Sequence, residues 1–320
     1  MNARLLAKRS RYLSMTREFF TSRGYLEVET PILAPYLIPE PSIEVFRTEH
    51  LHRGGVRESY LIPSPELWMK RLLAQGSGDI FQITKSFRNL EFLGPYHNPE
   101  FTLLEWYTVG HGYLDSIGVL EAYLGFLSGG LDDVPPWRFP LPRMTMREAF
   151  AEHARLDLDD MLSLRGIRHQ ARRLGLEVHR GASWEELFNG IFLARVEPRL
   201  SEHEALVLLD YPAAVPTTAK SRNGYAERWE LYMKGVEIAN CYSEETSSPK
   251  LRRFIERESE RKRGCRIQHR VDRGLAELAS AGSGLPECSG TALGMDRLFM
   301  VICGAKSIDK VILFPFSETG

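Results

Sequence analysis

The stretch YHNPEFTLLEWY, residues 96–107, predicts a β-strand that follows a polar loop. Because successive side chains of a strand point to opposite faces, one face of this strand carries Phe101, Leu103, Glu105 and Tyr107. A carboxylate among aromatic rings needs a partner, since burying an unpaired charge is costly. The strand is therefore either an edge whose Glu105 faces water or a floor that binds a cation and stacks a flat ring.

Other strand patterns surround this one. DIFQITKSFR, residues 79–88, alternates apolar and polar residues and is joined to it by a short loop, so the two runs predict an antiparallel hairpin. Three later runs also predict strands: ALVLLDYP at 205–212, the strand pair or bulged strand RWELYMKGVEIANCYSEE at 228–245, and GTALGMDRLFMVICG at 290–304, which runs into a helix.

Helical patterns precede and separate the strands. Residues 4–23 are amphipathic, and SPELWMKRLLAQG at 64–76 has the N-cap Ser64 and a glycine past its end. The middle of the chain, about 112–205, predicts mainly helices and loops. Strands in two clusters around a helical middle favour an α+β fold with a mainly antiparallel sheet flanked by helices.

Composition and charge limit the classes of function. The 320 residues carry a formal net charge of −1, so no basic excess indicates a nucleic-acid surface. We interpret the basic run ERKRGCRIQHR, residues 260–270, as a solvated helix face. The four cysteines lie far apart, which disfavours a zinc site or a disulfide framework. No apolar run predicts a signal peptide or a membrane span, so we expect a cytoplasmic protein.

Two glutamates have the chemistry of a magnesium site. Glu230 and Glu237 lie seven residues apart and offer hard oxygen ligands. Simple alternation places them on opposite faces of the strand, and a bulge at Gly235 would bring them to one face. The alternative is that both carboxylates are solvated.

Other polar residues are candidates for a binding site. Arg88 ends the first hairpin strand with a guanidinium suited to phosphate or carboxylate, although a surface ion pair would also explain it. Arg297 follows the glycines of 290–294, which either let the backbone approach a nucleotide or permit tight helix packing. The run EIANCYSEE places three polar side chains on one face: Asn240, Tyr242 and Glu244.

The order of these motifs resembles that of class II aminoacyl-tRNA synthetases. RGYLEVETPIL at 23–33, FRN…HNPEFTLLEWY at 87–107 and GTALGMDRL at 290–298 are similar to the three signature motifs of that family. HNPEFT and EIANCYSE are similar to the lysyl branch. The resemblance implies a class II catalytic fold, activation of a carboxylate by ATP, and a homodimer built partly through the first motif.

The resemblance also implies an ATP site with Mg²⁺. Arg88 would hold the α-phosphate and the substrate carboxylate, and Arg297 the γ-phosphate, which makes these two the implied catalytic residues. Phe101 would stack on adenine and His97 would approach the polyphosphate. The metal ligands would be Glu230 and Glu237. The implied ATP-binding set is Arg88, Glu91, His97, Asn98, Phe101, Glu237 and Arg297.

One position departs from the family pattern. The lysyl motif has Glu directly after FRN, whereas this chain has Leu90 and then Glu91. A one-residue insertion in the loop would let Glu91 serve in the same role.

The amino-acid site implied by the resemblance accepts a lysine-like substrate. Glu66 would take the amine nearer the substrate carboxylate, and Asn240 would contact that carboxylate. The distal ammonium would lie among Glu105, Tyr107 and Glu244. The implied substrate-binding set is Ser64, Glu66, Arg88, Glu105, Tyr107, Asn240, Tyr242, Glu244, Ala292 and Gly294.

The start of the chain bears on the acceptor. Only 23 residues precede Gly24, so we expect a single catalytic domain over 1–320, with a mainly helical insertion around 112–205 and no N-terminal anticodon-binding domain. CSGTALGMDRL at 288–298 is similar to the elongation factor P–lysine ligase group. That resemblance implies transfer of lysine or (R)-β-lysine to a lysine of elongation factor P, and disfavours tRNA.

Ala292 stands where lysyl-tRNA synthetases have Gly, and its methyl group would favour the β-amino isomer, although neutral drift at a packed turn would also explain it.

Two other functions remain open: a truncated lysyl-tRNA synthetase, and a non-catalytic regulator that binds lysine. The regulator predicts broken ATP residues, whereas Arg88, His97, Phe101 and Arg297 are all present. An amide-forming synthetase is disfavoured by Glu105 and Glu244. No base for the acceptor amine is evident.

Overall fold

The computed structural model describes residues 3–90, 94–279 and 284–319. Its strands are β1 Leu26–Glu27, β2 Leu33–Ala34, β3 Phe46–His52, β4 Gly55–Leu61, β5 Ile80–Phe87, β6 Glu100–Val109, β7 Arg143–Thr145, β8 Leu206–Pro212, β9 Ser221–Arg222, β10 Tyr225–Met233, β11 Val236–Ser243 and β12 Cys288–Gly294.

Its α-helices are α1 Ala3–Thr21, α2 Glu66–Ala74, α3 Tyr113–Gly130, α4 Met146–Ala149, α5 Leu164–Arg173, α6 Trp184–Ile191, α7 Glu197–Leu200, α8 Ser248–Lys262, α9 Gly274–Leu278, α10 Met295–Ile302 and α11 Phe316–Thr319. Two π-helical turns, Phe150–Ala154 and Phe192–Val196, continue α4 and α6, and 3₁₀ turns occur at Asp159–Met161 and Ile308–Lys310. No helix in the described residues is long and apolar enough to cross a membrane.

Within the described residues, nine strands form one sheet in the order β1-β5-β6-β12-β11-β10-β8-β7, with β9 paired to β10. The pairs β1–β5 and β7–β8 are parallel and the other pairs are antiparallel. A smaller sheet has the order β2-β4-β3. The predicted hairpin is confirmed as β5–β6, and the α+β class with a mainly antiparallel sheet is confirmed with it.

One face of the large sheet packs on helices and forms the main core. The aromatic side chains of Phe81, Trp106 and Trp229 are fully buried there, in one cluster with residues of α1, α3 and α10. Since alternate residues of each strand point the other way, the polar residues between them face the opposite side. The candidate site lies on that opposite face.

The helices from Met146 to Leu200 bury a cluster of their own. Phe150, Phe188 and Ile191 pack there against Leu208 and Tyr232 of the sheet. Just before α2, Ser64 Oγ accepts a hydrogen bond from the Glu66 N–H at 3.0 Å, but the N-cap position is Pro65, so the predicted cap at Ser64 lies one residue early.

The interpretation of 260–270 as a solvated helix face is right about the exposure of most of these residues but wrong about the extent of the helix and about Lys262. Helix α8 ends at Lys262, whose side chain is buried. The Lys262 ammonium donates to the carbonyl oxygens of Glu40, at 3.2 Å, and Ile43, at 2.5 Å. Sequence patterning missed this burial because the partners are main-chain carbonyls more than 200 residues away.

Candidate active site

A cavity of about 450 Å³ lies on the polar face of the sheet. Strand register places its floor residues in two rows across β6, β12, β11 and β10. One row is Glu105, Ala292, Asn240 and Glu230, and the next is Tyr107, Gly290, Tyr242 and Arg228. Cross-strand neighbours share a face, so most of the predicted substrate-binding residues come together here.

The walls of this cavity come from five separate segments. The N-terminus of α2 contributes Ser64 and Glu66, and the other walls are residues 38–43, residues 215–218, α6 and α8. Arg261 of α8 pairs with Glu185 of α6 at the cavity wall and lies 2.8 Å, Nη1 to Oε2, from Glu258.

A buried lysine pairs with two residues of the cavity wall, Glu66 and Glu244. Lys70 Nζ lies 2.5 Å from Glu66 Oε1, 2.6 Å from Glu244 Oε2 and 3.1 Å from Thr218 Oγ1. Burial lowers the pKa of Lys70, but the carboxylates of Glu244 and Glu66 outweigh it, so its pKa lies above the usual value. Sequence reasoning missed Lys70, although its spacing of four from Glu66 on a helix was a usable signal.

Glu105 has a different environment. Its side chain is buried, and Oε1 accepts a hydrogen bond from Ser64 Oγ at 2.6 Å. Burial raises the pKa of Glu105 to about 8, against the opposing effect of the Ser64 hydroxyl. A ligand ammonium beside Glu105 would favour its carboxylate form. The alternative of a solvated edge is therefore wrong.

Gly290 is required by a close approach inside this cavity. A Cβ atom at this position would lie 2.5 Å from both Glu244 Oε1 and Tyr107 Cε1. A side chain at 290 would displace these two residues, so this position of the cavity floor requires glycine. Gly294 lines a second cavity instead.

The second cavity, about 100 Å³, adjoins the first. Its lining includes the predicted nucleotide residues Arg88, His97, Asn98, Phe101, Glu237 and Arg297. Arg88, Glu237, Asn240 and Ala292 line both cavities. The two spaces therefore meet where the sequence predicted the carboxylate and the α-phosphate.

The two arginines are held by defined contacts. The Arg88 guanidinium carbon lies 5.2 Å from the centroid of the Phe101 ring, a cation–π arrangement. Arg297 donates from Nη1 to the Glu237 carbonyl oxygen at 3.0 Å and from Nε to the Tyr96 carbonyl oxygen at 3.1 Å.

Asn98 and Glu91 belong to the predicted ATP-binding set. Asn98 is buried, donates from Nδ2 to the Glu100 carbonyl oxygen at 2.5 Å, and accepts the Phe316 N–H on Oδ1 at 2.9 Å. Its amide therefore anchors the C-terminal segment beside the cavity. Glu91 lies outside the described residues.

The predicted metal ligands share the cavity face. A register shift opposite Leu231 and Tyr232 leaves Ile238 as the extra residue of β11, so Glu237 and Glu230 both line the cavity. The bulge is thus at Ile238, and not at Gly235, which lies in the hairpin turn with φ +79°.

The two carboxylates offer hard oxygen atoms of the kind that Mg²⁺ binds. Glu230 Oε2 accepts hydrogen bonds from Tyr211 and Tyr232, at 2.5 and 2.7 Å, and Oε1 accepts one from Arg228 at 2.5 Å. A carboxylate oxygen with one partner keeps a second lone pair, so Oε1 retains capacity for a cation. Glu237 is partly exposed and lies 3.6 Å, Oε2 to Nη1, from Arg297.

The sheet is mainly antiparallel, and its polar face carries residues of the motifs described above. Together these features define a class II synthetase catalytic core. A family model described as tRNA synthetases class II (D, K and N) matches residues 1–318, and the chain belongs to this family.

Curated relatives cover nearly the whole chain. The elongation factor P–(R)-β-lysine ligase of Vibrio cholerae is 36% identical over 323 residues, 97% of this chain and 95% of the relative. The ligase of the same name from Pectobacterium atrosepticum is 36% identical over 319 residues, 97% and 94% of the two chains. A homologue of this ligase in Aquifex aeolicus is 36% identical over 297 residues, 93% and 94%.

Proposed function

We propose that this protein is an ATP-dependent ligase that activates lysine or (R)-β-lysine as an aminoacyl-adenylate and transfers it to the ε-amine of a lysine on elongation factor P. The observation that carries this proposal is the meeting of two cavities at Arg88 and Asn240, the larger of which contains buried carboxylates. The names of the relatives support the acceptor.

The charges of the larger cavity suit a diamino acid. Three carboxylates, those of Glu66, Glu105 and Glu244, face one internal ammonium, that of Lys70. When they are ionised, two negative charges are left for the two ammonium groups of the substrate, and Arg88 balances its carboxylate. Buried charges need such pairing, so a neutral side chain would be a poor ligand.

Glu244 offers an acceptor for one of those ammonium groups. Its Oε2 pairs with Lys70, whereas Oε1 is buried and has no hydrogen-bond partner among the described residues. Glu105 and Tyr107 lie on the adjacent part of the floor. We assign the distal ammonium to these three residues, the other amine to Glu66, and the carboxylate to Arg88 and Asn240.

In the activation step, a carboxylate oxygen of the substrate forms a bond to the α-phosphorus of ATP, and pyrophosphate leaves. Arg88 would orient the carboxylate against the α-phosphate, and Arg297 would hold the γ-phosphate, with Phe101 against the adenine. Bound by Glu230 and Glu237, Mg²⁺ would neutralise polyphosphate charge. Positioning and charge neutralisation provide the catalysis.

We also propose a cytoplasmic homodimer that does not use tRNA. Leu26 in β1 and Leu33 in β2, both from the first motif, are 57% and 47% exposed. Exposed apolar side chains on such short strands suit a subunit interface. Sedimentation of the purified protein across a range of concentrations tests this, and a persistent monomer would contradict it.

The function is tested by following labelled amino acid to its acceptor. Purified protein, ATP and Mg²⁺ are incubated with labelled (R)-β-lysine or α-lysine, together with elongation factor P or lysine tRNA. The matched control is elongation factor P whose acceptor lysine is changed to arginine. Label on the unaltered factor alone is expected.

Two other outcomes would contradict this function. Label on tRNA would indicate a truncated lysyl-tRNA synthetase. Lysine binding without pyrophosphate release would indicate a non-catalytic regulator.

A further inference from the structure

The transfer step needs a base. An amine with the ordinary pKa of a lysine, about 10.4, is almost fully protonated at neutral pH and then has no lone pair with which to attack. A positioned carboxylate that takes this proton typically contributes about 10²–10⁴-fold to the rate.

Glu40 lies in the wall of the larger cavity. Residues 38–43 form this wall, and Glu40 also borders a small adjoining space with Ser64 and Glu66. The hydrogen bonds that the described residues make to Glu40 reach its main-chain oxygen, from the Lys262 ammonium and the Ile43 N–H. The Glu40 carboxyl group therefore has no hydrogen-bond donor among the described residues, and Glu40 lines the cavity.

The wall segment is fixed at several points. Lys262 binds the carbonyl oxygens of Glu40 and Ile43, as described above, and Cys265 Sγ donates to the Pro41 carbonyl oxygen at 3.2 Å. The Glu44 carboxylate accepts the N–H groups of residues 266 and 267 at 2.8 and 3.1 Å. These contacts would hold a catalytic group on this segment in place.

The same segment is tied to the residue that would hold the reacting carboxyl group. The Asn89 N–H donates to the Glu44 carbonyl oxygen at 2.8 Å, and Asn89 Nδ2 donates to the Val45 carbonyl oxygen at 3.4 Å. Asn89 directly follows Arg88, so two hydrogen bonds join the wall that carries Glu40 to the strand end that carries Arg88.

The charged groups around Glu40 suit proton transfer near neutrality. Burial and the Glu66 carboxylate raise the pKa of Glu40 to about 7, against the opposing effect of three cations. The titratable groups that interact with it are Glu66, Arg88, Lys262, Lys70 and Tyr242.

We propose that Glu40 is a catalytic residue of the transfer step and takes the proton of the acceptor amine as its nitrogen attacks the adenylate carbonyl carbon. This rests on the proposed function. One proton of the protonated amine passes to the Glu40 carboxylate as the carbon–nitrogen bond forms, the bond from that carbon to the phosphate oxygen breaks with its electron pair on AMP, and the second proton that the nitrogen loses in becoming an amide passes to water.

Glu40→Gln tests this, because the two steps of the reaction can be measured apart. Single-turnover transfer to elongation factor P should fall by about 10²-fold or more. Lysine-dependent ATP–pyrophosphate exchange should keep its KM values within about twofold, which also shows that the variant is folded. Capture of the adenylate by hydroxylamine, a nucleophile that is largely uncharged at neutral pH, should be unchanged.

Two further variants and a pH profile complete the design. Glu40→Asp keeps the carboxyl group and should restore part of the transfer rate, whereas Glu49→Gln, at an exposed position of β3, should match the wild type. Wild-type transfer should rise with pH and level off above about pH 7, the pKa of Glu40, whereas transfer by Glu40→Gln should keep rising above pH 7 as more of the acceptor amine loses its proton.

Two results with Glu40→Gln would overturn the role. One is transfer within about twofold of the wild type. The other is a raised KM for the amino acid in exchange, which would make Glu40 a substrate ligand. If wild-type protein forms the adenylate and labels hydroxylamine but no elongation factor P, the proposed acceptor itself fails, and the role of Glu40 fails with it.

Discussion

The Lys70 ammonium lies 2.6 Å from Glu244 Oε2, and each side chain is only 1% exposed. A buried cation therefore lies behind two of the carboxylates that would receive the cations of a ligand. Lys70 also binds Glu66, so one ammonium sets the positions of two candidate substrate residues.

Replacing Lys70 by methionine should destabilise the protein strongly. The change keeps the side-chain length but leaves two carboxylates without their cation, and breaking a buried ion pair from one side costs about 3–5 kcal/mol. Denaturant unfolding at neutral pH measures the loss. Lys250→Met is the matched control, because Lys250 is half-exposed beside Glu245 and should cost less than about 1 kcal/mol. Equal losses in both variants would contradict the role of Lys70.

Glu105→Gln should abolish lysine-dependent ATP–pyrophosphate exchange and leave the fold intact. Glutamine retains an acceptor for the Ser64 hydroxyl but offers no charge to a ligand ammonium. The measurement is exchange kinetics together with circular dichroism. Glu100→Gln, at an exposed position of the same strand, should behave as wild type. Exchange that persists unaltered in Glu105→Gln would exclude the assigned pocket.

Binding of lysine should release a proton. Burial raises the pKa of Glu105 to about 8, so this carboxyl group is largely protonated at neutral pH in the free protein. A bound ammonium lowers that pKa, and the proton leaves; affinity should therefore rise as pH increases from about 6 to 8. Calorimetry in two buffers of different ionisation enthalpy counts the protons released. Glu105→Gln should release fewer, and equal release would show that the proton comes from another group.

Ala292→Gly should shift the isomer preference toward α-lysine. Ala292 lies between Glu105 and Asn240 across three adjacent strands, so its methyl group faces the substrate space. A difference of one methyl group in a pocket is worth ~1–3 kcal/mol, or about 10–200-fold in selectivity. The ratio of kcat/KM for the two isomers in exchange measures the shift. Ala226→Gly, buried in β10 away from both cavities, should leave the ratio unchanged. An unchanged ratio in Ala292→Gly would support neutral drift.

Local patterns predicted several strands of the large sheet and the helices α1 and α2. Alternation identified β5 and β6, and Ser64 marked the approach to α2, which begins at Glu66. These signals depend on neighbours within a few residues, so a single sequence contains them.

Long-range pairing could not be predicted in the same way. Lys262 is polar in any local pattern and becomes buried only because residues 40–43 supply carbonyl oxygens. Glu40 lies in IPEPSI, which has no strand or helix period, so nothing in the sequence places it in a cavity wall. The bulge at Ile238 depends on hydrogen bonds between strands, which alternation within one strand does not reveal.

That bulge lets one strand, β11, contribute to both proposed binding sites. Residues 240–244, after Ile238, would contact the amino acid, and Glu237, before it, would contact the nucleotide side. The extra residue turns Glu237 to the same face of the sheet as Glu230 and Asn240. A one-residue deletion at Ile238 would remove none of the proposed ligands, but it would turn Glu237 to the opposite face, away from both cavities.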